Sequence, residues 1–309
     1  MKVDAFPLAR LRLAQIGSHL VVALIALVVI GGATRVMEAG LACPDWPLCF
    51  GTILPSRQMN IKVFLEWFHR LDAFFIGIAM IVQFITSLIW RSALPRWLPK
   101  LYFLFVVLII LQGLLGALTV LNLLPSGIVT AHLGLALSLV AVMSALTQWL
   151  LNPNSAQAPV WWRPISSFAL FSLLFQSLIG GRIASTWSVQ LCSSQQLHCQ
   201  SFLLHRAFAI PITISLFALV GTALLSGGWP RSQWPFLISV SFLVLIQIAI
   251  GSATFSFNLS KPLLTISHQL IASLLIALLA AISFRSPPNS SKQLSEINTQ
   301  KSFLETCHG

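Results

Sequence analysis

The sequence predicts an all-α membrane protein with eight transmembrane helices, arranged as two pseudo-symmetric four-helix bundles. Three observations support this prediction: the composition, the number of long apolar runs, and a repeat of polar residues along the chain. Of the 309 residues, 57% are hydrophobic and only 8% are charged, whereas a soluble domain carries roughly 25% charged residues. A soluble fold of this length could not hide so much apolar surface, so the chain is expected to cross a membrane several times.

Eight apolar runs are long enough to span a membrane, which takes about 20 residues of helix. They lie near residues 13–34, 63–90, 101–121, 128–151, 165–185, 202–225, 236–257 and 263–284. Gly180, Gly181 and Arg182 interrupt the end of the fifth run.

The distribution of positive charge predicts the orientation. If the N-terminus is inside, eleven Lys and Arg residues fall in inner segments and five in outer segments, and such a bias is typical of cytoplasmic loops. The net charge of +11 is therefore explained by topology, and no nucleic-acid partner is expected. We predict a multi-pass protein of the cell (inner) membrane with both termini in the cytoplasm, ending in a flexible tail over residues 286–309. A cleaved signal peptide is the alternative for the first run, although no clear cleavage site follows Ile30.

Polar residues recur along the chain at a nearly constant spacing. His69 and His205 are 136 positions apart, and so are His132 and His268. Arg70 and Arg206 are also 136 apart, and Gln112 and Gly116 are 135 positions before Gln247 and Gly251. Ile30-Gly31-Gly32 matches Ile179-Gly180-Gly181 at a larger spacing of 149. The chain is therefore predicted to consist of two parallel four-helix repeats, residues 1–155 and residues 156–285.

The four repeated histidines lie in the first turns of helices that enter from the outer side. Within each half, two facing helices can point their imidazoles at each other, and side chains of facing helices often hold cofactors in a bundle core. Two opposed imidazoles suit a six-coordinate haem iron. The pattern predicts one iron site between His69 and His132 and another between His205 and His268, near the outer face. Zinc, which usually takes three or four protein ligands, and simple packing histidines are the alternatives.

Arg70 and Arg206 each follow a predicted ligand directly. They are candidates for charge-assisted bonds to haem propionates, and interfacial snorkelling is an equally good interpretation.

Two cysteine pairs lie in outer loops. Cys43 and Cys49 are in the first loop, and Cys192 and Cys199 are in the third. Each pair is expected to form a local disulfide on the oxidising face of the membrane, and a redox role for the first pair stays open.

The repeat is broken next to His69. Glu66 and Asp72 of the first half correspond to Phe202 and Phe208 of the second, so only the first half has carboxylates beside its histidine pair. Glu66 could accept a proton or stabilise developing positive charge. Alternatively, it forms a salt bridge to Arg70 or Lys62.

Residues 13–284 resemble the haem A synthase family. The resemblance is carried by Gly31-Gly32-Ala33-Thr34-Arg35, Cys43-Pro44-Asp45-Trp46-Pro47-Leu48-Cys49, Glu66-x-x-His69-Arg70 and the repeated histidines. It implies a membrane oxidoreductase that converts haem O to haem A by two successive hydroxylations of a ring methyl, the second giving a hydrate that loses water.

The resemblance also implies roles for the repeated residues and for partners. His69 and His132 would flank the substrate haem O, His205 and His268 would ligate a haem b, and Glu66 would be catalytic. The implied partners are membrane lipid, the haem O synthase (a farnesyltransferase) upstream, and an electron acceptor or donor, with homo-oligomers left open. The alternatives are a di-haem b-type cytochrome for electron transfer or quinol oxidation, and a haem transporter or chaperone. The Glu66/Phe202 asymmetry favours the enzyme.

Overall fold

The computed structural model describes residues 5–151, 158–186, 189, 191–192, 199–257 and 259–285. Within these ranges, eight helices are long and apolar enough to cross a membrane. They are α1 (Ala5–Val36), α2 (Ile61–Ile89), α3 (Leu98–Leu121), α4 (Ser126–Leu151), α5 (Trp162–Thr186), α6 (Cys199–Leu225), α7 (Trp234–Ser256) and α8 (Pro262–Phe284). The predicted all-α membrane fold with eight spans is thereby confirmed, whereas the predicted tail, 286–309, lies outside the described residues.

The largest difference from the predicted boundaries is at α1. Helix α1 begins at Ala5 rather than near residue 13, because the preceding stretch is rich in Ala, Leu and Arg, which favour helix without being apolar throughout. Helix α5 continues through Gly180 and Gly181 to Thr186. Glycines are tolerated inside a membrane helix where a neighbouring helix approaches closely.

The helix contacts form two rings that share a wall. Helices α1 to α4 contact one another in chain order and close between α4 and α1, and α5 to α8 do the same. Across the middle, α1 and α4 contact α8, and α4 also contacts α5. This packing is compatible with the predicted pair of four-helix bundles, whose pseudo-symmetry stays a prediction.

The glycine doublets join the two halves. A Cβ atom on Gly181 would lie 2.6 Å from Leu133 Cδ2 on α4, and one on Gly32 would collide with the amide of Gln269 on α8. Gln269 Nε2 also donates to the carbonyl of Val28, at 2.9 Å. The second glycine of each doublet thus lets a helix of the other half approach closely.

We call the end of the bundle that carries the loop over residues 37–60 and the α3–α4, α5–α6 and α7–α8 connections the disulfide end. Here Arg35 of α1 donates to the carbonyl of Ala184 on α5, and Arg182 Nη1 donates to Ser126 Oγ at 2.5 Å. Both predicted disulfides, Cys43–Cys49 and Cys192–Cys199, are present at this end.

Candidate functional site

A cavity of about 1810 Å³ opens at the disulfide end between the helices of both halves. Pockets for a single drug-sized ligand measure roughly 300–1,000 Å³, so this cavity has room for two such ligands. All four repeated histidines line it, together with Glu66, Arg70 and Arg206. Asp72 does not line it, so of the two carboxylates that distinguish the first half only Glu66 reaches the cavity.

Each of the four histidines packs against a glycine of the preceding helix. A Cβ atom on these glycines would lie within contact distance of the imidazole Cε1: 2.9 Å for Gly31 and His69, 3.3 Å for Gly116 and His132, 3.2 Å for Gly180 and His205, and 2.9 Å for Gly251 and His268. Real Cβ atoms essentially never come closer than 3.0 Å. The same glycine–imidazole contact therefore recurs in the four hairpins α1–α2, α3–α4, α5–α6 and α7–α8.

The histidines of each predicted pair line the same cavity from two different helices, α2 and α4 in the first half and α6 and α8 in the second. The Nδ1 atom of all four rings is buried and lacks a hydrogen-bond partner among the described residues. Buried polar atoms are normally satisfied, so the same unpaired Nδ1 atom in four cavity-lining histidines sets these residues apart from ordinary packing histidines.

The donor set fits haem better than zinc. In the part of the chain that the structure describes, no group of three or more His, Cys, Asp or Glu residues could hold a metal ion. A protein zinc site usually has three or four such ligands, whereas a haem needs only two axial ligands. Two half-buried imidazoles per half, backed by glycine and facing a large cavity, meet that need.

Glutamines form a feature of the site that the sequence reasoning recognised only in part. In three hairpins a glutamine precedes the packing glycine by four residues, one helical turn. Its amide nitrogen contacts the histidine: Gln112 Nε2 donates to the His132 carbonyl at 2.9 Å, Gln176 Nε2 donates to the His205 carbonyl at 2.7 Å, and Gln247 Nε2 lies 3.2 Å from His268 Nε2. The first hairpin has Leu27 at this position. The signal in the sequence is the spacing Gln-x-x-x-Gly, which occurs at Gln112, Gln176 and Gln247. Matching the first half to the second paired Gln112 with Gln247 and left Gln176 without a counterpart, so the third occurrence was missed.

Glu66 is buried in the cavity wall and paired with an arginine. It is 6% exposed, and its Oε1 accepts a hydrogen bond from Arg70 Nε at 2.8 Å. Its Oε2 accepts none from the described residues. Lys62, the other predicted partner, lies 3.9 Å from the exposed Glu38 instead. The salt bridge to Arg70 fixes one carboxylate oxygen and leaves the other for a ligand in the cavity.

Arg70 also holds the loop that contains the first disulfide. Its Nη1 donates to the carbonyls of Asp45 and Leu48, both at 2.6 Å, and its Nη2 donates to the Cys43 carbonyl at 3.2 Å. Within the loop, the Asp45 carboxylate accepts the backbone N–H groups of Phe50 and Gly51, at 2.6 and 2.7 Å. The bond from Gly51 above all lowers the pKa of Asp45. The loop is therefore tied both to itself and to α2.

Arg206 has different surroundings from Arg70. Its guanidinium carbon lies 5.7 Å from the ring centre of Phe202 and 5.4 Å from that of Phe255, and the side chain is exposed to the cavity. No carboxylate pairs with it among the described residues. The second half has Phe202 where the first half has Glu66. Arg206 therefore has no carboxylate partner at this position, and its N–H donors are available to an anionic group.

We expect the substitution Gly251→Ala to disturb the second histidine pair, because the new Cβ would meet the rigid His268 ring at 2.9 Å. The measurement is the absorbance and electron paramagnetic resonance spectrum of purified protein loaded with haem b. Gly221→Ala is the matched control, since nothing lies within 4 Å of a Cβ atom there. Equal spectra for the two variants would contradict the importance of the glycine–imidazole contact.

The fold and the cavity define a polytopic helical membrane protein whose paired histidines face one internal cavity. The model of the COX15-CtaA family, described as cytochrome oxidase assembly protein, matches residues 15–280. The chain therefore belongs to this family.

Proteins named heme A synthase are among its relatives. The one from Shouchella clausii is 28% identical over 82% of this chain and 91% of its own length. Those from Shewanella oneidensis and Rhodopseudomonas palustris are 30% and 31% identical, over 54% and 58% of this chain. These two alignments cover 56% and 57% of the relatives' own lengths, so the chain spans little more than half of each.

Proposed function

We propose that this protein is a haem A synthase, an oxidoreductase that converts a ring methyl of haem O to a formyl group by two successive hydroxylations. One observation carries the proposal: a buried carboxylate, Glu66, lines the cavity beside one histidine pair only. A protein that merely conducts electrons between two permanent haems has less reason to differentiate its halves. The heme A synthase names of several relatives support the same activity.

In this proposal the first half, residues 1–155, is the catalytic half. His69 and His132 would hold the substrate haem O. Each hydroxylation replaces a methyl C–H bond by C–OH; with the oxygen taken from water it releases two protons and two electrons, and the electrons would pass to the electron acceptor proposed below. Glu66 would accept one of these protons at Oε2, while Arg70 holds Oε1 in place. Positioned acid–base groups of this kind typically contribute 10²–10⁴-fold to a rate.

The second half, residues 156–285, is proposed to hold a permanent haem b for electron transfer. His205 and His268 would hold its iron, and Arg206 is the better candidate for a propionate contact because its side chain lines the cavity. Arg70 is the weaker candidate, since Glu66 and three loop carbonyls already occupy its donors.

The proposed topology has both termini in the cytoplasm and the haem sites near the outer face. The bias of Lys and Arg supports it, and so do two disulfides at one end of the bundle, since disulfides persist in oxidising compartments. We further propose haem O synthase as the source of the substrate, an electron acceptor as a second partner, and use of the product by terminal oxidases.

The test is to purify the protein from cells with and without a co-expressed haem O synthase and to identify the extracted haems by mass. We expect haem A and its hydroxylated precursor only when haem O is supplied. Recovery of haem b alone under both conditions would contradict the proposal and favour a di-haem b-type cytochrome.

A further inference from the structure

The first hairpin fastens its histidine differently from the other three. In the α3–α4 and α5–α6 hairpins, a glutamine amide on the preceding helix donates to the histidine's backbone carbonyl, and in the α7–α8 hairpin Gln247 Nε2 contacts the ring of His268. In the first hairpin, Leu27 stands where that glutamine would be and has no group to donate. The turn that carries His69 and Glu66 therefore lacks the link to α1 that its three counterparts have.

A different residue supplies a link for this turn. Arg70, directly after His69, uses Nε on Glu66 and its two terminal nitrogens on the carbonyls of Cys43, Asp45 and Leu48. The planar guanidinium fork can serve several acceptors at once, and hydrogen bonds from a charged donor are about twice as strong as neutral ones. The link thus leads to the disulfide loop rather than to a helix.

We propose that Arg70 is a positioning residue that fastens His69 and Glu66 to the loop over residues 37–60, in the role that glutamine has in the other three hairpins. The proposal rests on the proposed function, because it concerns how the substrate-binding histidine and the catalytic carboxylate are held. It follows that the loop and this turn of α2 move together. Displacement of the loop opens the first half, while the second half keeps its own links.

The decisive experiment measures haem release. His205→Ala and His268→Ala together confine bound haem b to the first half, and its transfer to apomyoglobin is followed by absorbance. We expect Arg70→Met to release haem about tenfold faster or more, the effect of several lost hydrogen bonds. Adding Leu27→Gln to Arg70→Met should slow the release about fivefold, because it installs the missing amide. Lys62→Met, at an exposed site in the first turn of α2, about two turns before Arg70, is the matched control.

Two results of the release experiment would overturn the proposal: release from Arg70→Met no faster than from Lys62→Met, or no slowing by Leu27→Gln. Arg70→Lys serves as a conservative variant, and we expect only partial rescue, since an ammonium group cannot reproduce the fork geometry.

Hydrogen exchange of the full chain without added haem provides a second measurement. The proposal requires faster exchange of the backbone amides around residues 62–70 in Arg70→Met than in Lys62→Met. Unchanged exchange would overturn it by itself. If neither half retained any haem while this exchange pattern appeared, the proposed function would fail and the positioning role of Arg70 would stand.

Discussion

Replacing Glu66 with glutamine is expected to reduce haem A formation by about 100-fold or more, the range that removal of a positioned proton acceptor produces. Glutamine keeps the size of the side chain, and its Oε1 can still accept the hydrogen bond from Arg70 Nε. The variant should therefore fold and retain the haem b proposed for the second half, whose histidine pair has Phe202 rather than a carboxylate beside it. The measurement is the haem A content of cells that supply haem O, together with the haem b content of the purified variant.

Glu38→Gln is the matched control for this variant. Glu38 also lines the cavity, but its side chain is 66% exposed and lies 3.9 Å from the exposed Lys62. We expect its product yield to stay within twofold of the parent. A Glu66→Gln variant that made haem A as fast as Glu38→Gln would exclude proton transfer by Glu66. Loss of all haem from Glu66→Gln would mark the carboxylate as structural.

Much of the fold could be predicted because membrane-spanning helices are recognisable in a sequence from their apolar composition and their length. Without water in the bilayer core, every backbone N–H and C=O group must be satisfied internally, which restricts spanning segments to regular helices or closed barrels. The eight apolar runs therefore mapped onto eight helices, with errors mainly at α1. There the helix continues beyond the apolar part, and hydropathy carries no information about that extension.

The site residues could be predicted where a residue type able to bind a ligand or a proton either recurs at the repeat spacing or breaks the repeat. Four histidines at one repeat spacing identified the cavity lining, and Glu66 stood out because its counterpart is Phe202. Contacts between backbone and side chain were not predictable in the same way. Arg70 donates to the backbone carbonyl of Cys43, 27 positions earlier in the chain. Every residue has a backbone carbonyl, so the residue types in the sequence do not indicate which carbonyl accepts this bond.

Arg70 and Arg206 illustrate the same limit. The sequence gives them identical positions after a histidine, and both were predicted as candidates for propionate contacts. The structure surrounds one with a carboxylate and three loop carbonyls and the other with two phenyl rings. The identity of a residue four positions earlier, Glu66 or Phe202, accounts for part of the difference, and the fold of the disulfide loop accounts for the rest.

Removing one histidine from one pair at a time is expected to abolish haem binding in that half and leave haem binding in the other half intact. His268→Ala should lose the haem b of the second half, with retention falling by at least about 100-fold, more than the 10–100-fold that changes around a ligand cost. His132→Ala should keep that haem and lose binding of haem O instead. Both effects are measured by extracting the haems from purified protein and comparing the b-type and O-type amounts per chain.

The control for both variants is His19→Ala. His19 is exposed on α1, away from the cavity lining, and its Nδ1 is bonded to the Gln15 carbonyl of its own helix at 2.7 Å. Its removal should change neither haem. The separation of the two phenotypes is what distinguishes an enzyme with a substrate haem and a resident haem from a di-haem cytochrome. In a cytochrome with two permanent haems, His132→Ala and His268→Ala would each remove one b-type haem, and neither would affect an O-type haem selectively.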